Sequence, residues 1–294
     1  MHKDFFKMDF YFAYKQQGGY MMKEKIRKIL LILFTIIFIG SLCYSINYQY
    51  KLKVEEKRIE ELKQKSLENP KKIDIVEEQP KDDSQSEIIN DCEEEVEKTK
   101  QILPQYSELY QENSDLIGWI TIEDTPIDYP VMQTIDDPIY YIHRDWDKND
   151  STTGLPLIDA RCTIESENII IYSHNMKDGT MFGTLKKYKD KSYFDNHSII
   201  KFNTIYEEAQ YQIISISLAK VYYDENPPED EFLYYDYIEL DSEEEFQRYV
   251  ENVKKNSLYE TGISAEYGDR LITLCTCDYY TEDGRLLVVA KKIQ

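Results

Sequence analysis

The feature that most constrains this chain is a run of 18 residues without a charge, from Ile29 to Ile46. A helix of this length spans the hydrocarbon core of a bilayer, whereas a buried helix of a soluble protein rarely runs so far without a polar face. No small-x-small cleavage site follows the run, which argues against a secretory signal peptide, and Leu42 before Cys43 argues against lipoprotein processing. The run therefore predicts an uncleaved membrane anchor.

The residues that flank the anchor predict its orientation. Lys23, Lys25, Arg27 and Lys28 crowd its N-terminal side. By the positive-inside rule, the N-terminus then lies in the cytoplasm and everything after Tyr48 lies outside the cell. We expect a single-pass protein of the cell membrane with its folded part extracellular.

The segment 1–20 is a doubtful leader, because it is rich in aromatic residues and resembles no targeting segment. We hypothesise that translation starts at Met21 or Met22, since the upstream Gln-Gly-Gly-Tyr is what an in-frame ribosome-binding site encodes. Mass spectrometry of the native protein tests this, and an N-terminal peptide containing Phe10 would contradict it.

Composition divides the rest of the chain into a stalk and one globular domain. Residues 49–92 are rich in Lys, Glu, Gln, Asp and Ser, so they cannot pack a core and are expected to form a charged extracellular stalk. Residues 93–294 carry the apolar pattern of a folded domain, beginning with a short amphipathic helix around 93–112 that is broken at Pro104. Together with the leader (1–20) and the anchor with its basic flank (21–48), this completes the predicted division.

Within that domain, short runs of β-branched and aromatic residues predict a mainly β fold. Turn residues separate the runs, and about eight strands of this kind suggest a closed barrel or a sandwich. Two helical segments interrupt them, at 181–188 and at 242–255, where Ser242 and Glu245 form the pattern of a capping box. The predicted strands are 117–122, 127–131, 155–158, 169–172, 199–203, 209–223, 270–276 and 286–292.

Charge and cysteine content exclude some functions. The net charge of −21 and the pI near 4.6 disfavour nucleic-acid binding, because phosphate contacts depend on clustered Lys and Arg. Five unevenly spaced cysteines do not form a disulfide framework in a domain of this size. Unpaired thiols outside a cell raise the possibility that one of them is used chemically, although Cys43 and Cys162 are better read as small apolar residues.

Two strand ends carry residues that are capable of nucleophilic chemistry. Cys277 ends a predicted strand, where a thiol is half exposed as a nucleophile requires. Far upstream, His174 follows the apolar strand 169–172, again at a junction between strand and loop. Taken alone, a cysteine and a histidine so far apart are weak evidence for a catalytic dyad, because an isolated histidine is more often structural.

A family resemblance strengthens this assignment. The run Thr273-Leu274-Cys275-Thr276-Cys277 is similar to the Thr-Leu-x-Thr-Cys motif of the sortases, and Arg285, eight positions after Cys277, matches the arginine of that family's active site. The stretch 172–182, Tyr-Ser-His-Asn-Met-Lys-Asp-Gly-Thr-Met-Phe, resembles the class B segment around the catalytic histidine. The resemblance covers roughly 93–294.

The resemblance implies a closed eight-stranded sortase-type barrel with an N-terminal helix and an extra helix between strands 6 and 7. It implies that Cys277 is the nucleophile, His174 the acid/base and Arg285 the stabiliser of the oxyanion, with the backbone N–H of Asp278 as a possible second donor. The expected reaction is cleavage of a C-terminal sorting motif through a cysteine thioester, followed by transfer to a peptidoglycan amine. Neither a cofactor nor a metal is expected.

Several assignments stay open at this point. Cys275 shares a strand face with Cys277 and can be a small side chain near the groove, a redox partner of Cys277, or part of an incomplete metal pair with His174. Tyr141 and Cys275 are candidate walls of the substrate groove. The rival functions are a stalked adhesin, which the high Tyr content favours slightly, and a membrane-tethered thiol hydrolase.

Overall fold

A computed structural model of the protein describes residues 3–68, 100–223, 227–228 and 231–294, with side chains from Lys23 onward. The helices are α1 (Lys3–Glu68), α2 (Pro104–Glu112), α3 (Lys191–Asn196) and α4 (Glu243–Lys255). Short 3₁₀ helices cover Tyr140–His143, Phe182–Lys189 and Tyr234–Asp236. The strands are β1 (Leu116–Thr121), β2 (Asp128–Met132), β3 (Leu157–Ile158), β4 (Asn168–Tyr172), β5 (Ile199–Thr204), β6 (Gln210–Lys220), β7 (Leu271–Cys277) and β8 (Gly284–Lys292).

The eight strands close into one barrel in the order β1-β2-β3-β4-β7-β8-β6-β5. The pairs β2–β3 and β4–β7 are parallel, and the others are antiparallel. Because closure leaves no free sheet edge, the barrel avoids unpaired backbone groups at its margins. The predicted closed eight-stranded barrel, with a helix before it and another between strands 6 and 7, is confirmed.

The helix α4 covers one face of the strands β6 and β7. The Ser215 and Ser217 hydroxyls both donate to the Val253 carbonyl oxygen of α4, at 2.7 and 2.5 Å. The Tyr249 hydroxyl lies 2.5 Å from the Thr273 hydroxyl, and both side chains are buried. Small polar residues on the sheet thus let the helix approach closely, and the side chains of the covered face are buried and hydrogen-bonded.

The predicted capping box at the start of α4 forms in part. The Ser242 side chain accepts a hydrogen bond from the backbone N–H of Glu245 at 3.2 Å, which satisfies one of the free donors of the first turn. The apolar stripe of α4 is buried, and its members are Phe246, Tyr249, Val250 and Val253. The other predicted helix, at 181–188, is a 3₁₀ helix over Phe182–Lys189.

The end of α1 packs on the barrel domain, although the sequence predicted a stalk there (49–92). Leu62 is fully buried in a cluster with Leu109 and Leu116. Around it, Arg58 pairs with Asp147 and Glu112, and Lys63 pairs with Asp128. Residues 57–68 therefore belong to the compact unit that runs to the last residue, and the expectation that they are a solvated stalk is wrong.

The earlier part of α1 contains the predicted anchor. The segment Lys23–Glu68 includes a stretch that is long and apolar enough to cross a membrane, and the side chains of that stretch are not buried within the protein. The rest of the expected stalk, at 69–92, and residues 93–99 of the expected amphipathic helix lie outside the described residues. The described part of that helix begins at Pro104, where the sequence predicted a break.

Candidate active site

Parallel pairing of β4 and β7 brings the predicted histidine and cysteine to one end of the barrel. The last recorded pair joins Tyr172 to Cys275. His174 and Cys277 each lie two residues further along. Cys277 ends β7 on the same face as Cys275, and His174 lies just past the end of β4, so both residues are at the same end of this strand pair.

Three hydrogen bonds fasten the two segments to each other. The Ser173 backbone N–H donates to the Cys275 carbonyl oxygen at 3.2 Å, and the Thr276 hydroxyl donates to the Ser173 carbonyl oxygen at 2.8 Å. The Asn175 side-chain amide donates to the Cys277 carbonyl oxygen at 2.8 Å. The residues on both sides of His174 are thus held against the end of β7.

The hairpin between β7 and β8 places Arg285 directly across from Cys277. Directly opposed residues of an antiparallel pair have Cβ atoms about 5 Å apart on the same face. The turn depends on Gly284, since a Cβ there would lie 2.5 Å from the Asp278 carbonyl oxygen. Asp283 before it adopts a positive φ of 56°, which Asp tolerates better than most residues.

The Arg285 guanidinium is held by three hydrogen bonds. Its Nη1 donates to the carbonyl oxygens of Asp283 and Gly284 at 3.1 and 3.0 Å, and its Nη2 donates to the Tyr223 hydroxyl at 3.3 Å. Burial by itself lowers the pKa of Arg285, but its electrostatic interactions with neighbouring groups, Cys277 first among them, outweigh this and raise the pKa above its ordinary value. The cation and the thiol are therefore electrostatically coupled.

His174 lies half-buried beside a second histidine. Its Nε2 is 2.9 Å from the Ile142 carbonyl oxygen, and because a carbonyl only accepts, Nε2 carries the proton of the neutral ring and Nδ1 is left to exchange one. The rings of His143 and His174 have centroids 5.4 Å apart. Burial lowers the pKa of His174, the hydrogen bond to Ile142 opposes this, and His143 lowers the pKa further.

Cys275 differs from Cys277 in its surroundings. Its side chain is 1% exposed and its Sγ lies 3.2 Å from the Tyr234 hydroxyl. Burial raises the pKa of Cys275 to about 12, although the Tyr234 contact and Arg285 oppose this. Such a thiol stays protonated at neutral pH, which fits the small buried side chain among the three expected uses. Cys277, by contrast, is exposed.

Three expectations about the site are wrong. Tyr141 is 1% exposed, and its hydroxyl donates to Asp115 at 2.8 Å and accepts from Asn113 at 2.9 Å, so its side chain belongs to the core and cannot be a groove wall. The Asp278 backbone N–H donates to the Gly284 carbonyl oxygen at 2.9 Å. It closes the hairpin and is not free to bind an oxyanion. Cys275, also considered as a wall, lies buried beneath Tyr234.

The sequence alone did not identify three other residues at this end of the barrel. They are Asn175, Tyr223 and Lys189, which contact the Cys277 carbonyl oxygen, the Arg285 guanidinium and the Asp278 carboxylate. Asn175 directly follows His174, and this position next to the candidate histidine is a local signal that could have identified it. The other two contacts are distant in sequence, and no spacing rule indicates them.

These groups suit acyl transfer through a thiol. An exposed thiol has a cation across the hairpin and an imidazole just past the end of the neighbouring strand, which are the groups needed as a nucleophile, an oxyanion partner and a proton carrier. In the part of the chain that the structure describes, no group of three potential metal ligands includes Cys275, Cys277 or His174. The geometry therefore supports the enzymatic interpretation over a surface that only binds.

Comparison with known proteins identifies relatives of this site and fold. Residues 120–293 match the family model of the sortase domain. Sortase B of Listeria monocytogenes is 33% identical over 190 residues, covering 63% of this chain and 73% of that protein.

Solved structures agree with these matches. The Staphylococcus aureus sortase B–substrate complex aligns with a TM-score of 0.65 at 26% identity, covering 83% of this chain and 99% of that one. Sortase B from Bacillus anthracis in complex with AAEK1 aligns with a TM-score of 0.57 at 32% identity, covering 66% of this chain and 86% of that one.

Proposed function

Because the chain belongs to the sortase family, in class B, and is therefore a cysteine transpeptidase, we propose that three residues carry its reaction. Cys277 is the nucleophile, His174 transfers protons, and Arg285 stabilises the oxyanion. The observation that carries this proposal is the exposed thiol of Cys277 directly across the β7–β8 hairpin from Arg285. The position of His174, two residues past the end of the adjoining parallel strand β4, supports it.

In the first half-reaction, the Cys277 thiolate attacks the carbonyl carbon of the scissile peptide bond. Negative charge moves onto the carbonyl oxygen, where a guanidinium donor contributes on the order of 3 kcal/mol of transition-state stabilisation. Arg285 is pre-oriented for this by the two backbone carbonyls and the Tyr223 hydroxyl that bind it. The guanidinium therefore needs little reorganisation when the oxyanion forms.

His174 completes the transfer. As imidazolium it gives its proton to the departing amine, the C–N bond breaks, and the acyl group remains on Cys277 as a thioester. An incoming amine then attacks the thioester and loses a proton to His174, which restores the imidazolium. The Sγ leaves as thiolate, and a new peptide bond has formed.

We further propose the two substrates by family analogy. Sortases act on proteins that bear a sorting motif, and we assign to this chain the C-terminal motif of surface proteins as donor and an amine of peptidoglycan as acceptor. The Staphylococcus aureus structure is a complex of sortase B with substrate, which supports a substrate of the same kind for this chain.

The topology is part of the same proposal. A sortase is associated with the cell surface, and α1 contains a stretch apolar enough to span a membrane. With Lys23, Lys25, Arg27 and Lys28 before that stretch, we propose a cytoplasmic N-terminus and an extracellular catalytic domain. A protease added to intact cells is then expected to remove a tag fused after Gln294 and to spare one fused at the N-terminus.

A peptide assay tests the catalytic assignments. The full-length protein in detergent is incubated with a fluorogenic sorting-motif peptide, with and without an amine acceptor, beside Cys277→Ala. We expect amine-dependent product from the unchanged protein and none from the variant. Cleavage at the same rate with and without the amine, and without an amine adduct, identifies a hydrolase. Full turnover by Cys277→Ala would refute the assignment of the nucleophile.

A further inference from the structure

The turn that follows Cys277 is built around a buried carboxylate. Asp278 is 6% exposed, and its Oδ1 accepts the backbone N–H of Tyr280 at 3.1 Å. The Tyr280 hydroxyl in turn donates to the Ala219 carbonyl oxygen at 2.9 Å, which fixes the turn to the end of β6. A carboxylate so buried is tolerated only when a positive charge compensates it.

Lys189 supplies that charge from another part of the chain. Its Nζ lies 2.6 Å from the Asp278 Oδ2. Lys189 is the last residue of the 3₁₀ helix Phe182–Lys189, which is anchored by the buried side chains of Phe182, Leu185 and Tyr188. A rigid element that follows the His174 segment therefore delivers the ammonium to the residue next to the nucleophile.

The ion pair has an electrostatic consequence for Cys277. A cysteine reacts as its thiolate, and an uncompensated carboxylate on the next residue opposes that negative charge. Arg285, which lies across the hairpin from Cys277, is a second cation at this end of the barrel. The ammonium of Lys189 cancels the one carboxylate that is adjacent to the nucleophile in the chain.

The carboxylate acts through this lysine and not through the histidine. The His174 Nε2 donates to the Ile142 carbonyl oxygen, while the Asp278 oxygens bind Lys189 and the Tyr280 N–H. Resting on the proposed role of Cys277, we infer that Lys189 is a positioning residue of the reaction. Its pairing with Asp278 fixes the turn after the nucleophile and removes the charge that would disfavour the thiolate.

This inference predicts effects of opposite sign for the two partners. In Lys189→Met the carboxylate loses its compensation, and alkylation of Cys277 by iodoacetamide at mildly alkaline pH should slow roughly tenfold. In Asp278→Asn the side chain still accepts the Tyr280 N–H but carries no charge, so alkylation should be at least as fast as in the unchanged protein. The double variant should return close to the unchanged rate.

The measurement uses the full-length protein in detergent, with mass spectrometry of the peptide that contains Cys277. Lys189→Arg should keep most of the rate, since it restores the charge. Lys186→Met, an exposed lysine of the same 3₁₀ helix, is the matched control and should alkylate at the unchanged rate. Thermal unfolding of each variant shows that it is folded.

Two outcomes would overturn the inference. One is that both single variants slow alkylation and the double variant recovers nothing, as expected of a purely structural contact. The other is an unchanged rate in Lys189→Met. If Lys189→Met does not fold, the rates of Asp278→Asn and of the double variant decide. Alkylation is measured without peptide substrate, so failure here leaves the proposed function intact, whereas turnover by Cys277→Ala would refute the proposed nucleophile and, with it, the role inferred for Lys189.

Discussion

Two parts of one barrel face carry the same residue type with opposite properties. In the covered part, Thr273 lies under Tyr249 of α4, and Cys275 lies under Tyr234. At the open end, Cys277 is exposed. The two cysteines are two residues apart on β7 and face the same way.

The difference between the two thiols therefore comes from what covers them. Burial raises the pKa of Cys275 to about 12, and Arg285 lies too far along the face to reverse this. Cys277 is exposed and lies directly opposite Arg285 on the neighbouring strand. Reactivity on this face is thus set by position relative to the cover, and the predictions below test that explanation in order of decreasing effect on turnover.

The largest effect is expected from the two cysteines themselves. Cys277→Ala should lower turnover by roughly a thousandfold or more, because the covalent route is lost. Cys275→Ser should keep most of the activity, since its thiol does not react. Both are measured with the fluorogenic peptide and an amine. Comparable losses of turnover in the two variants would contradict the distinction between a buried, unreactive Cys275 and an exposed, reactive Cys277.

The next effect concerns the cation at the open end. Arg285→Lys should lower kcat on the order of a hundredfold, because an ammonium cannot reproduce the planar pair of donors. The KM for the peptide should change less than kcat if the guanidinium acts mainly in the transition state. If Arg285→Lys instead raises KM and leaves kcat unchanged, Arg285 acts in substrate binding.

A smaller effect is expected from His143. Burial and then His143 lower the pKa of His174, so activity that needs the imidazolium falls as the pH rises through this pKa. His143→Gln removes the neighbouring imidazole that lowers the pKa of His174 and should therefore raise this pKa. The high-pH limb of kcat/KM should then move to higher pH, as a pH–rate profile would report. A shift toward lower pH contradicts this reading of the open end.

The smallest effect on turnover is expected far from this face. Leu62→Ala removes a fully buried side chain of α1 and should cost about 2 to 5 kcal/mol of unfolding free energy. Alkylation of Cys277 in the folded variant should be unchanged, because the cover over β7 is untouched. A loss of thiol reactivity that parallels the loss of stability would mean that global rigidity matters more than local coverage.

Much of this architecture was predictable because its signals are local. Short runs of β-branched and aromatic residues between turn residues indicated the strands, and the Ser242 and Glu245 pattern marked the start of α4 where it occurs. The places of Cys277 and Arg285 on neighbouring strands followed from a motif of short span.

What escaped prediction depends on contacts that are distant in sequence. Residues 57–68 look solvated by composition, and only the pocket that receives Leu62 makes them part of the core. Tyr141 was expected to line the groove, but its hydroxyl is bound by Asn113 and Asp115 in the core. The pairing of Lys189 with Asp278 joins elements that no local pattern connects.

The strand order also bears on when this molecule can first do chemistry. Arg285 faces Cys277 across the β7–β8 hairpin, only eight positions along the chain, and such local pairings form early. His174 lies far upstream and reaches the end of β7 only when the parallel pair β4–β7 has formed, which is a pairing of high sequence separation and therefore slow. On the proposed roles, an immature chain thus holds its sulfur beside the guanidinium before the imidazole arrives, and the proton transfers of turnover wait until the barrel has closed.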